Sequence, residues 1–239
     1  MFVRRSSLDV SWRERLAENC RRIRERIAAA CARSGRDPAS VRVVAVTKSA
    51  APEAIRALPG LGLTELAENR VQALEARAGA VGPGVTWHLV GSLQTNKVRK
   101  ALALAEWIHS LDRPALADAL AEESGRSGRR PRLLLEVNAG EERSKHGAAP
   151  DAAGAILLEI LAKHPGLRVE GLMTMAPPFD VPGDARPVFA KLRELRDRLR
   201  ERTGLPLPEL SMGMSQDFEP AVEEGATIVR IGRAFFEGL

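Results

Sequence analysis

Residues 41–49, Val41-Arg42-Val43-Val44-Ala45-Val46-Thr47-Lys48-Ser49, decide how the rest of the chain is read. The run is short, valine-rich and almost wholly apolar, the composition of a strand buried on both faces. A doubly wound dinucleotide-binding sheet would place a glycine-rich turn directly after such a strand. This one ends in Thr47-Lys48-Ser49, with no glycine.

Outward from this strand the pattern alternates. Strands are expected over 41–47, 63–66, 85–90, 107–109, 132–137, 169–173, 209–212 and 227–231. Each is followed by an expected helix, over 52–58, 69–80, 96–105, 114–123, 151–163, 185–202, 218–224 and from 234 onward. Residues 124–131 read as a basic surface loop. Such alternation implies parallel strands with helices outside. Repeated eight times, it predicts an α/β fold, a (β/α)8 TIM barrel at the small end of its size range. No linker divides the chain, so 1–239 is expected to be a single domain. An extra helix over 11–34 precedes the barrel: Ser11 and Glu14 make a capping box and Gly35 a stop. Trp12, Leu16, Ile23 and Ile27 give that helix one apolar face.

Composition narrows the function. The chain has 239 residues, 44% hydrophobic and 28% charged, with a formal net charge of +5. No apolar run approaches the ~20 residues needed to span a bilayer, and the arginines near the start interrupt any signal peptide. Cys20 and Cys31 lie about 16 Å apart along one expected helix, too far for a disulfide. A reduced, cytoplasmic setting without membrane attachment is expected. The positive charge suggests an anionic partner, either nucleic acid or a small phosphorylated ligand. The arginines of the first helix lack interleaved aromatics, so they read as a solvated face and no nucleic acid is expected. There is no tyrosine, which removes every mechanism that needs a phenolic acid or base. The histidines lack metal-ligand spacing, and no metal is expected.

In a barrel of this kind the chemistry lies at the C-terminal strand ends. Lys48 closes an apolar strand, so partial desolvation is expected to lower its pKa and free its amine for an aldehyde. The loops after the last two strands carry Ser211-Met212-Gly213 and Gly232-Arg233, small residues beside two helix starts, where barrels often hold phosphate. Together they describe a site for an aldehyde bearing a phosphate, and pyridoxal phosphate is such a molecule. Arg230 is the one charge in an apolar final strand. Asn69 opens a helix at a strand end and could be only an N-cap; Met173 could be only core.

Several segments resemble the pyridoxal phosphate homeostasis protein family: Val44-Ala45-Val46-Thr47-Lys48, Glu68-Asn69-Arg70-Val71-Gln72 and Trp87 to Lys97, then Val137-Asn138, Ser144-Lys145-His146-Gly147 and Gly171 to Met175, and finally Leu210 to Phe218 and Val229-Arg230-Ile231-Gly232. They run in order over nearly the whole chain. The resemblance implies a barrel of the alanine racemase N-terminal type with pyridoxal 5'-phosphate held as an internal aldimine on Lys48. It implies cofactor contacts from Asn69, Met173, Ser211, Met212, Gly213, Arg230, Gly232 and Arg233, with Arg230 facing the ring nitrogen and a looser second contact conceivable at Lys145. It implies intracellular buffering and delivery of the cofactor to apo-enzymes that depend on it, by a monomer without robust turnover. A fold-type III amino-acid racemase is the alternative. Locally the chain departs from the family's pattern: Ala67 replaces a usual glycine, Arg70 a frequent tyrosine, Ser92 a common histidine, and Arg233 a serine or threonine.

Overall fold

The computed structural model describes residues 11–142, 146–177 and 185–239. The strands are β1 (Arg42–Val46), β2 (Glu65–Glu68), β3 (Thr86–Leu89), β4 (Trp107–Leu111), β5 (Arg132–Glu136), β6 (Arg168–Met173), β7 (Glu209–Ser211) and β8 (Ile228–Ile231). They form a closed barrel in chain order. All pairs are parallel, and β8 returns to β1 with Val44 opposite Arg230. Outside run α2 (Pro52–Ala57), α3 (Val71–Val81), α4 (Val98–Leu104), α5 (Pro114–Ser127), α6 (Ala153–Lys163), α7 (Arg186–Thr203) and α8 (Phe218–Glu223).

α1 (Trp12–Arg33) precedes the barrel. Its capping box is formed, with Ser11 Oγ accepting from the Glu14 backbone and the Glu14 carboxylate accepting from the Ser11 N–H. Leu16, Cys20, Ile23, Ile27 and Cys31 are buried along one side, and both cysteines are free thiols. Several arginines of α1 are already paired, Arg21 with Glu18, Arg22 with Glu237, Arg26 with Glu219 and Arg33 with Glu223. That supports reading them as a solvated, self-compensated face.

Strand alternation builds two apolar regions. Ala45, Leu66, Leu89, Ile108, Leu135, Leu172, Leu210 and Val229 point outward and join the large core between sheet and helices. Val44, Ala67, Trp107, Leu134, Met173 and Ile228 form a smaller cluster inside the barrel, with Val46, Val90 and Met175 packed on it.

Three expectations about elements are corrected. β2 begins at Glu65, not at 63. α5 continues to Ser127, so part of the expected basic loop is helical; the stop is Gly128, at φ 72 in the left-handed region that glycine adopts most easily. The segment from Ala234 forms turns and no helix. Its carbonyls are instead held by buried Asn19, whose Nδ2 donates to Phe235 O and Glu237 O at 3.0 Å each. The expectation for Lys145 falls outside the described residues. Among those residues no helix is long and apolar enough to cross a membrane.

Candidate functional site at the barrel mouth

β1 carries Val44 and Val46 inward, and the same parity aims Lys48 at the open end of the barrel. Its strand end is clasped from α3. Arg77 donates to Thr47 O at 2.6 Å and to Lys48 O at 3.2 Å. Arg77 also pairs with the fully buried Glu68, which accepts from Thr47 Oγ1 as well. The expected desolvation of Lys48 is not found: the residue is exposed. It stands one step past the last inward apolar residue, where the barrel opens to water.

The β8 loop closes against this strand end. A Cβ at Gly232 would lie 3.1 Å from Val46 O, tighter than ordinary contact, so glycine eases the close approach of the two backbones. The β7 loop turns just as tightly. Gly213 has φ +91, and a Cβ there would stand 2.6 Å from Ala221 Cβ. Ser215 Oγ joins the two loops by accepting from the N–H of Gly232 and of Ala234, both at 3.3 Å. Among the described residues, the N–H groups of Ser215, Gln216 and Arg233 find no protein acceptor. The two loops thus offer an anion a serine hydroxyl and a set of outward N–H donors.

Ser211 lies elsewhere. It is fully buried inside the barrel, and its Oγ accepts from Arg230 at 2.6 Å and meets His109 Nδ1 at 2.9 Å. Its hydroxyl is engaged by these two partners inside the barrel. Met212 packs in the outer core between sheet and helices, so only its backbone faces the mouth. Met173 is part of the inner cluster. Asn69 is half-buried beside the mouth and does not cap α3, whose N-cap is Arg70 without a side-chain bond. A Cβ on Gly91 would come within 2.1 Å of Asn69 O. Arg233 is exposed.

Arg230 donates to Thr174 O at 2.8 Å as well as to Ser211. Burial pulls its pKa down to about 10, with Asp217 and Glu136 opposing that pull, so it stays cationic at neutral pH. Glu136 ends β5 inside the barrel and is 4% exposed. Burial, with Asp112 adding to it and Arg230 opposing, pushes its carboxyl up to about 7. A Cβ on Gly147 would lie 3.2 Å from Glu136 Cγ, so that glycine backs directly onto the side chain.

Beneath Arg230 a polar row runs down the barrel. His109 Nε2 meets His88 Nδ1 at 2.9 Å, and His88 Nε2 meets Glu65 Oε2 at 2.5 Å. Burial holds His109 well below the usual histidine range, aided by the positive surroundings of His88, Arg230 and Arg42. Burial also lowers His88 against the pull of Glu65. At the closed end, Trp107 stacks on His88 with ring centroids 5.6 Å apart, and the guanidiniums of Arg42 and Arg132 stand over its ring at 5.0 and 5.1 Å. Sequence reading had set the histidines aside as non-ligands and had not singled out Glu65 or Glu136. The available signal was a histidine or glutamate in inward register on an otherwise apolar strand. Among the described residues, no three metal-ligating side chains come together.

Comparison with known proteins places these features in a family. The family described as alanine racemase, N-terminal domain, matches residues 13–238. The pyridoxal phosphate homeostasis protein of Aquifex aeolicus is 43% identical over 220 residues, covering 92% of this chain and 96% of that protein. The human protein of the same name is 36% identical over 230 residues, covering 90% and 84%. The structure of PipY from Synechococcus elongatus with pyridoxal phosphate bound superposes with a TM-score of 0.78 at 38% identity, covering 90% of this chain and 99% of that one. An alanine racemase of Clostridium difficile shares the fold, with a TM-score of 0.71 at 14% identity, and this chain covers 56% of its length.

Proposed function

The chain belongs to the pyridoxal phosphate homeostasis proteins, within the alanine racemase N-terminal domain family, and from that premise we propose that it binds pyridoxal 5'-phosphate at the barrel mouth and buffers it inside the cell for delivery to apo-enzymes. One observation carries the reading: the close approach of Gly232 to Val46 sets the donor-lined β7 and β8 loops beside the strand end that bears Lys48. An aldehyde and a phosphate on one small ring need those two features side by side. The residues fit the group. Lys48 supplies the amine, and the Ser215 hydroxyl and the outward N–H groups of the two loops take the phosphate, with Gly213, Met212 and Gly232 shaping their backbone. Arg233 adds positive charge. Asn69 and Met173 border the ring, and Arg230, which can only donate, faces its nitrogen. When bound, pyridoxal phosphate supplies an aldehyde that links covalently to amines and a ring that draws electrons from what is linked.

Lys48 stands exposed, and this favours exchange over guarded chemistry, because water reaches the amine. The test is borohydride trapping. Wild-type protein incubated with pyridoxal phosphate and reduced should carry one covalent adduct, located by mass spectrometry at Lys48, and Lys48→Ala should carry none while keeping its circular dichroism. An undiminished adduct in that variant rejects the assignment.

A racemase-like activity is the second reading, and Glu136 is what favours it. Racemisation needs acid–base groups on both faces of the reacting carbon, and Glu136 supplies a titratable carboxyl on β5, four strands away from β1 in the ring order. Exchange of amino-acid α-protons in deuterated water decides between them. Rates near 1 per second, the low end of ordinary turnover, would establish an enzyme; slower exchange with intact transfer to an apo-enzyme supports the carrier role.

A further inference from the structure

The row beneath Arg230 crosses the barrel from its open to its closed end on five different strands: Arg230 on β8, Ser211 on β7, His109 on β4, His88 on β3 and Glu65 on β2. Each contact is 2.9 Å or shorter. We propose that Ser211, His109, His88 and Glu65 form a one-way hydrogen-bond relay that fixes Arg230 at the mouth, making all four positioning residues for the ligand ring. This rests on reading the mouth as a pyridoxal phosphate site.

The direction follows from donor and acceptor counting. A guanidinium has donors only, so Ser211 Oγ must accept from Arg230. The single hydroxyl proton of Ser211 then points to its other neighbour, His109 Nδ1. Nδ1 therefore accepts, and a neutral His109 carries its proton on Nε2. That proton points to His88 Nδ1, which accepts in turn and places the His88 proton on Nε2. The last donor meets Glu65 Oε2, and the carboxylate ends the row as a pure acceptor. Glu65 is itself faced by Arg42, 3.7 Å away, and Arg42 also reaches Glu209 at 3.2 Å. The opposite direction would require a protonated Glu65 and would leave the Ser211 proton competing with Arg230. The positive charges of Arg42 and Arg132 work against that state.

The consequence is mechanical as well as electrical. Arg230 is held by Ser211 on one side and by Thr174 O on the other, so its guanidinium cannot turn without breaking the row. The imidazoles have fixed tautomers, and Trp107 stacked on His88 fixes that ring plane. A ring nitrogen resting on Arg230 would meet a donor of constant position and charge.

Two measurements test this. The first uses ligand-free protein labelled with nitrogen-15 histidine, with signals assigned through His146→Ala and His164→Ala. His88 and His109 should each show one protonated nitrogen, Nε2, and one bare nitrogen, Nδ1, unchanged from pH 6 to pH 8. A cationic ring or an Nδ1–H tautomer at either position overturns the relay. The second compares Ser211→Ala and Ser211→Thr after loading with pyridoxal phosphate, both checked for wild-type circular dichroism. The alanine variant should shift the absorbance maximum and its pH midpoint and weaken binding at least threefold. The threonine variant, which keeps the hydroxyl, should restore both. An alanine variant with unaltered spectrum and affinity overturns the positioning role, and so does loss of the alanine phenotype through unfolding if the threonine variant, folded, fails to match wild type. If wild-type protein binds no pyridoxal phosphate, the reading of the mouth fails, while the ring-nitrogen signals still judge the relay on their own.

Discussion

Replacing Glu136 by glutamine isolates the cost of a carboxyl that the barrel buries without a hydrogen-bond partner for its oxygens among the described residues. The folded protein holds the Glu136 proton until about pH 7, against an ordinary value of 4.5. Between these values the folded state binds more protons than the unfolded chain, so stability falls as pH rises through that window. The contribution is fully present below pH 4.5 and lost above pH 7. At 1.36 kcal/mol per pH unit the displacement corresponds to about 3 kcal/mol. Glutamine has nearly the same shape and never ionises. Glu136→Gln should therefore be close to wild type at pH 4 and more stable by up to about 3 kcal/mol at pH 8. Urea unfolding of the ligand-free protein at pH 4, 6 and 8, with unchanged m-values, reads the difference directly. A stability gap that is flat with pH, or that shrinks as pH rises, would refute the burial argument. It would mean that the carboxylate is compensated in the folded state, with Arg230 outweighing both desolvation and Asp112.

Three further outcomes are expected. Arg77→Met leaves Glu68 buried without its cation, since the other Glu68 oxygen has no partner; it should cost about 3–5 kcal/mol in urea unfolding, and adding Glu68→Gln should recover much of the loss. Gly91→Ala drives a Cβ toward Asn69 O; it should destabilise by about 1–3 kcal/mol and weaken pyridoxal phosphate binding measured by absorbance titration. Pyridoxal lacking its phosphate should bind more than tenfold less tightly than pyridoxal phosphate, because charge-assisted bonds contribute about 1.5–3 kcal/mol each, and Ser215→Ala should narrow that gap while Ser211→Ala should not.

The barrel was legible in the sequence because its signals are local. The valines of 41–46 mark a strand by composition, and Lys48 follows Val44 and Val46 at period two, so its aim at the mouth needed no tertiary information. The elements that moved are those where local signals conflict. Leu63 and Leu66 both look like strand residues, yet only the second joins β2. Gly125 looks like a break, yet α5 passes through it to the left-handed Gly128. The site was legible only in part. In Ser211-Met212-Gly213-Met214-Ser215 two serines flank one tight turn, and period two cannot be carried through the positive φ of Gly213. The one aimed at the β8 loop is Ser215, while Ser211 belongs to the last regular turn of strand and faces the barrel axis. Desolvation of Lys48 was inferred from the strand before it, but the exposure of a strand end depends on how high the neighbouring loops rise.

The polar row was invisible for a different reason. Its members are separated by 21 residues between His88 and His109 and by 102 between His109 and Ser211. No periodicity links them. Each alone looks like a polar residue misplaced in an apolar strand. Burying such groups singly would cost heavily, and an all-apolar barrel interior would be no harder to pack. The cost is offset because each group in the row satisfies the next, from a cation at the mouth to a carboxylate at the closed end. Glu136 stands in the same interior outside the row, and the burial that makes it hold its proton also keeps the two histidines from taking a second one. Arg230 is where these arrangements meet: it heads the row, it opposes the neutralisation of Glu136, and it lies on the strand whose loop closes over Lys48. A substitution at Arg230 would act on all three at once, so its phenotype would not apportion them, whereas Ser211, Glu136 and Ser215 each change one.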